Sequence, residues 1–323
     1  MDNFNTKLSN MPRGRLARSS NLQLKIMREL ASPRRFGSPL RPTYSGIAKK
    51  LGIDEETVRV RVRQAQRTGS ILGWQLAINP HLLGREATSV LLEVKDPSSK
   101  PAMISKIKLI DEVVLIMDFY DRPLRVVFYY ENERDKERRL DLIKSICGDE
   151  NPTSWQVGYA APSNVKLKRT DWQILKALRS DSMQSNAEIA KEVRVSARTV
   201  KRRLSLMTET GAIHSFAMGD VKRMPGMAYY FLVNCPNEKK KREVDEQILG
   251  RLENAVFVDT ANKQFSQYSA VFHNVGEADE TYRWIKSLDG AENTRMSMMR
   301  EIISVSDWFD KEIDSHLEQS GYS

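Results

Sequence analysis

Cysteine and histidine are scarce in this chain, which holds two cysteines, Cys147 and Cys235, and four histidines, His81, His214, His273 and His316, in 323 residues. Neither cysteine has a second Cys or a His at metal-ligand spacing, which excludes a zinc site, and a single distant pair of thiols makes no disulfide framework. Two buried thiols, no metal and no cofactor are the expectation. Long apolar runs are missing too. Nothing approaches the roughly 18 consecutive apolar residues that a membrane span requires. The opening stretch MDNFNTKLSNMPRGRLARSS lacks the apolar centre of a signal peptide. A cytoplasmic chain with no membrane partner is expected.

Charge is present in quantity, and unevenly. The net charge is +9. Residues 1–79 carry 15 Lys and Arg against 5 Asp and Glu, 80–162 carry 12 against 14, 163–218 carry 11 against 5, and 219–323 carry 13 against 18. Two basic segments thus alternate with two mildly acidic ones. Basic surfaces attract polyanions through direct contacts and counterion release, so this pattern points to nucleic acid at two places.

The two basic segments repeat one another. IAKKLGIDEETVRVRVRQAQRTGSI, from Ile47, and IAKEVRVSARTVKRRLSLMTETGAI, from Ile189, align without a gap and are identical at nine positions. In the second copy Ser185 and Glu188 form a capping-box pattern for one helix, Ser196 caps the next, and Gly211 stops it. The first copy places Gly52 in the turn, Asp54 at the cap and Gly69 at the stop. Helix, tight turn, helix and glycine stop make a helix-turn-helix. The strand-like ILGWQLAI and IHSFAMGD follow as a wing or hinge, and the amphipathic NLQLKIMREL and TDWQILKALRSD precede as first helices.

On the second helix of each copy, the 3.6-residue period buries Val58, Val62 and Ala65, or Val200 and Leu204. Glu56, Arg59, Val60, Arg63 and Arg67 face outward in copy one, and Arg198, Lys201, Arg202 and Ser205 in copy two. The major groove admits such a helix, with Arg or Lys reaching guanine or phosphate. The candidate contacts to double-stranded DNA are Thr57, Arg59, Arg61, Arg63, Arg67, Arg198, Thr199, Lys201, Arg202 and Arg203. Arg61 and Arg203 lie at the edge of the buried stripe, where a phosphate or a structural carboxylate is a better partner than a base.

TDWQILKALRSD, NAEIAKEVRVSARTVKRRLSLMTETGAI and GWQLAINPHLLGREATSVLLEV resemble the Lrp/AsnC (feast/famine) transcription regulators. In that family a winged helix-turn-helix precedes a βαββαβ domain that senses ligands and dimerises, and both acidic segments fit that order by their alternation of strand and helix patterns. The expected organisation is a disordered basic tail over 1–20, a winged helix-turn-helix over 21–79, a βαββαβ module over 80–162, a second winged helix-turn-helix over 163–218, a second βαββαβ module over 219–304 and a helix over 305–323. The fold class is α+β, with two winged helix-turn-helix domains alternating with two ferredoxin-like domains. Ordinary members pair two identical chains to present two recognition helices, and this chain holds the equivalent of such a pair.

The resemblance also implies an amino-acid-like effector near an acidic loop before the third strand. MDFYDRP supplies Asp118 and Asp121 there but no glycine, whereas TANKQ in the second half has neither acid nor glycine. Asp118 and Asp121 are the candidate effector contacts. MPRGRLAR resembles an AT-hook with Leu16 in place of its second proline, against the plainer reading of a basic tail. Trp308, Phe309, Ile313 and Leu317 form an apolar stripe that serves either a homodimer or the chain's own domain. The expected activity is sequence-specific, nucleoid-associated transcription regulation without catalysis. An architectural chromatin protein is one alternative. Another is an enzyme like the sirohaem decarboxylases, against which the scattered histidines stand.

Overall fold

The computed structural model describes residues 13–31, 40, 43–162, 165–180, 182 and 184–319. In the first half, helices α1 (Arg13–Leu30), α2 (Tyr44–Leu51) and α3 (Glu55–Thr68) lead into strand β1 (Ile71–Ile78). Then follow β2 (Glu86–Glu93), α4 (Lys100–Ile107), β3 (Val113–Phe119), β4 (Pro123–Tyr130), α5 (Glu133–Cys147) and β5 (Thr153–Gln156). The second half repeats the order with α6 (Arg169–Ser180), α7 (Asn186–Val193), α8 (Ala197–Glu209) and β6 (Ile213–Gly219). It continues through β7 (Met227–Asn234), α9 (Glu238–Arg251), β8 (Ala255–Asp259), β9 (Phe265–Phe272), α10 (Val275–Lys286) and β10 (Glu292–Ser304), and ends in α11 (Asp307–Gln319).

These elements do not group in chain order. One compact unit takes the described residues of 1–31, 42–71 and 223–296, and the other those of 32–41, 72–222 and 297–323. The first helix-turn-helix therefore folds with the second βαββαβ module, and the second helix-turn-helix with the first module.

In the first unit the strands run in the order β10, β7, β9, β8, with β7 and β9 antiparallel from Met227 opposite Phe272 to Asn234 opposite Phe265. Helix α1 lies against β8, and Lys25 reaches Glu253 at 3.2 Å. This helix corrects the expected tail. Residues 13–20 are helical, because no proline lies between Pro12 and Pro33 and the amphipathic segment ahead of Leu30 lets the helix propagate back to Arg13. An AT-hook lies extended in the minor groove, which a helical backbone over 13–18 does not match; the rest of the tail and most of residues 31–42 lie outside the described residues.

In the second unit the order is β5, β2, β4, β3, β10. Each module thus has the strand order of a ferredoxin-like βαββαβ domain. Val90, Leu92, Leu124, Val126 and Phe128, alternating along β2 and β4, share one face with Ile104 and Ile107 of α4 and Ile143 and Cys147 of α5. Strands β1 and β6 pair with each other in a two-stranded sheet, so the expected wings are one shared ribbon. Helix α11 packs Phe309 and Ile313, 4% and 1% exposed, into a core with Trp172, Leu175, Leu178 and Met207. The apolar stripe is covered within its own unit, which removes the reason it offered for a homodimer. Both cysteines are buried, and burial pushes their thiols up to about 11, so they stay protonated and unreactive at neutral pH. No described helix is long and apolar enough to cross a membrane.

Candidate nucleic-acid interface

The second helix of each helix-turn-helix, α3 or α8, is fixed at both ends by its own sequence. Asp54 accepts from the Thr57 amide at 2.7 Å at the start of α3, and Ser196 accepts from the Thr199 amide at 3.0 Å at the start of α8. The Thr57 and Thr199 hydroxyls bond to the same cap residues, at 2.6 and 2.9 Å. Among the candidate contacts these two threonines serve the caps, and the hydrogen bonds from Thr57 hold the Asp54 carboxyl below its ordinary value. Gly69 and Gly211 stop the helices at φ 76° and 73°, as the sequence pattern requires.

The outward faces differ between the copies. On α8, Arg198, Lys201 and Arg202 are exposed and form no ion pair among the described residues. The first turn of α8 contains no acidic residue, so Arg198 sits near the positive end of the helix dipole, an arrangement mildly unfavourable in the free protein and suited to an approaching anion. On α3 the first turn carries Glu55 and Glu56, and Arg59 pairs with both, at 2.7 and 3.2 Å, with its guanidinium over the Tyr44 ring. Arg63 and Arg67 are exposed farther along and form no ion pair among the described residues.

Arg203 faces the other way. Its guanidinium is 13% exposed and forks onto the fully buried Asp171 carboxylate, whose hydrogen bond raises the arginine above its ordinary value. Of the two partners open to it, the structural carboxylate is the one it meets. Arg61 is half-buried, and its carbonyl accepts from the Gln23 amide at 3.5 Å.

Arg194 was not among the candidates. It is exposed and holds φ 59° in the turn before α8, where Gly52 holds φ 66° in the first copy. A non-glycine residue in this conformation costs about 1 kcal/mol. The gapless alignment of the two copies contained the signal, since it sets Arg194 opposite Gly52.

The two acidic side chains at the end of β3 and in the β3–β4 loop, Asp118 and Asp121, are engaged within the second unit. Asp118 is fully buried between Lys100 and Arg300, and Asp121 accepts from the Ser297 hydroxyl at 3.2 Å. Lys100, itself fully buried, also donates to the carbonyls of Phe119, Asp121 and Pro123, and burial pulls its ammonium below the ordinary lysine value. An ammonium ligand at Asp118 would have to displace one of two cations. Three histidines take structural positions in the same unit. His316 stacks on Trp172 at 4.0 Å, His214 is buried, and His81 lies 3.3 Å from the Tyr159 carbonyl.

A model of the AsnC-type helix-turn-helix domain matches residues 167–207. The HTH-type transcriptional regulator Ptr1 of Methanocaldococcus jannaschii is 36% identical over 93 residues, which are 29% of this chain and 59% of that relative. The chain thus spans about three fifths of Ptr1. The HTH-type transcriptional regulator LrpA of Pyrococcus horikoshii is 31% identical over 109 residues, 33% of this chain and 75% of that relative. Among solved structures, the siroheme decarboxylase NirDL in complex with an iron-uroporphyrin III analogue is similar over 91% of this chain and 98% of its own, with a TM-score of 0.54 and 14% identity. At that identity the likeness is one of fold.

Proposed function

The chain belongs to the Lrp/AsnC family of transcription regulators, and from that premise we propose that it binds specific sequences of double-stranded DNA through two non-identical recognition helices, without catalysing a reaction. The observation that carries this reading is the outer face of α8, where Arg198, Lys201 and Arg202 stand exposed with no ion pair among the described residues on a helix capped at its start and stopped by Gly211. Cations held on one face without internal partners are what a groove lined by phosphates and guanine edges requires. Arg63 and Arg67 of α3 add to the same electrostatic footprint, and Arg194 supports it from the turn. The enzyme reading has weaker support, since three of the four histidines are taken up in packing or backbone contacts.

Salt tests the proposal. If the five exposed side chains Arg63, Arg67, Arg198, Lys201 and Arg202, which form no ion pair among the described residues, each meet a phosphate or a base beside one, log K should fall against log salt with a slope near −4 to −5. Affinity then drops several-hundredfold between about 50 and 200 mM. Fluorescence anisotropy with a selected duplex and a random duplex, at matched salt, measures both slope and specificity. Equal affinity for the two duplexes indicates an architectural binder, and no binding at low salt rejects the reading.

A further inference from the structure

The two recognition helices, laid over each other without a gap, set Glu56 against Arg198, Arg59 against Lys201, Val60 against Arg202 and Arg63 against Ser205. The outer face of α8 is therefore cationic along its first two turns. That of α3 is not. Arg59 is neutralised from two sides by Glu55 and Glu56, and the Glu56 side chain remains 67% exposed. Val60 is 51% exposed, one turn beyond Glu56, on a helix that already buries Val58, Val62 and Ala65. It is an apolar side chain outside the buried stripe, flanked by the cations Arg63 and Arg67.

The major groove gives these side chains different partners. Arginine pairs with guanine O6 and N7, a carboxylate accepts from the cytosine N4 amino group, and an apolar side chain packs on the thymine methyl. The residues near the start of a recognition helix are the ones that reach base edges. Building on the proposed DNA binding, we infer that the operator is not palindromic: α8 reads a guanine-containing half-site through Arg198 and Arg202, and α3 reads a pyrimidine pair, cytosine against Glu56 and thymine against Val60. Arg63 and Arg67 supply the phosphate contacts that hold α3 in the groove. Glu56 repels phosphate, so it contributes discrimination in place of affinity.

Selection from a random duplex library with the full chain tests this, run beside a variant carrying Glu56→Arg and Val60→Arg. Both positions are exposed, and thermal melting verifies that the variant folds. The wild-type chain should select two unlike half-sites, and the variant should replace the pyrimidine half with guanines, so that its two halves become alike. A second measurement isolates the methyl group. Replacing the selected thymine with uracil should weaken wild-type binding about fourfold, the value of one buried methyl, and the penalty should shrink in a Val60→Ala variant, whose shorter side chain covers less of the methyl. A palindromic wild-type site, an unchanged selection by the double variant, or an equal uracil penalty with and without Val60 overturns the inference while leaving DNA binding intact. Failure of the wild-type chain to enrich any duplex overturns the DNA-binding reading itself, and this inference with it.

Discussion

Replacing Asp171 with Ala is expected to destabilise the unit containing the second helix-turn-helix by about 3–5 kcal/mol, the cost of removing one partner from a buried ion pair. The Asp171 carboxylate is fully buried, takes both arms of the Arg203 guanidinium and accepts from the Lys168 amide at 2.7 Å. Its loss leaves Arg203, 13% exposed, with a charge that water reaches poorly, and opens the start of α6. Because α8 carries both Arg203 and the outward cations, the DNA binding proposed for that helix should fall with the fold. Urea unfolding measures the first effect, and anisotropy the second. The paired variant Asp171→Leu with Arg203→Met should recover most of the stability, since an apolar pair of similar volume often replaces a buried ion pair at little cost. Unfolding of Asp171→Ala at the wild-type midpoint would remove this account of Arg203. The first copy supplies an internal contrast: there Gln23 of α1, a neutral side chain, donates to the Arg61 carbonyl at 3.5 Å, so Gln23→Ala should cost far less.

Arg203 also shows where reading the sequence stops. The helical period placed it at the edge of the buried stripe, which is correct, but the carboxylate that fixes it lies 32 residues away, and no local pattern names such a partner. Caps, glycine stops and the buried faces of α3 and α8 were legible because each is set by residues within one or two helical turns. The ferredoxin-like strand order was legible because alternating strands and helices of these lengths leave few ways to cover a sheet. The cross-grouping of helix-turn-helix and βαββαβ modules was not, since both copies carry interchangeable apolar faces and the periodicity of a face does not say which sheet it meets. The same limit applies to Asp118. Its place before the third strand followed from the strand pattern, whereas its burial between Lys100 and Arg300 depends on a strand 182 residues later.

Helix α11 carries the second large effect. A chain ending at Ser306 should melt about 10–20 °C lower in the unit that α11 belongs to, for a loss on the order of 5 kcal/mol spread over a unit of this size. Phe309 and Ile313 are buried in the core that contains Leu175, Leu178 and Met207. Trp308 meets Tyr129 edge-on at 5.2 Å, and His316 stacks on Trp172 at 4.0 Å. The helix thus touches the first βαββαβ module on one side and α6 of the second helix-turn-helix on the other. Arg85 to Glu312 at 3.3 Å and Arg179 to Asp310 at 2.8 Å tie the two sides further, though the more exposed Lys176–Asp314 pair adds little. Removing α11 uncovers apolar surface on both neighbours, so the shortened chain should associate when concentrated. Phe309→Ala alone should cost about 3–5 kcal/mol in the same unit. Scanning calorimetry and light scattering on the full and shortened chains distinguish this role from a contact between copies: a shortened chain that is a soluble monomer with an unchanged melting temperature would show that α11 does not brace its own unit.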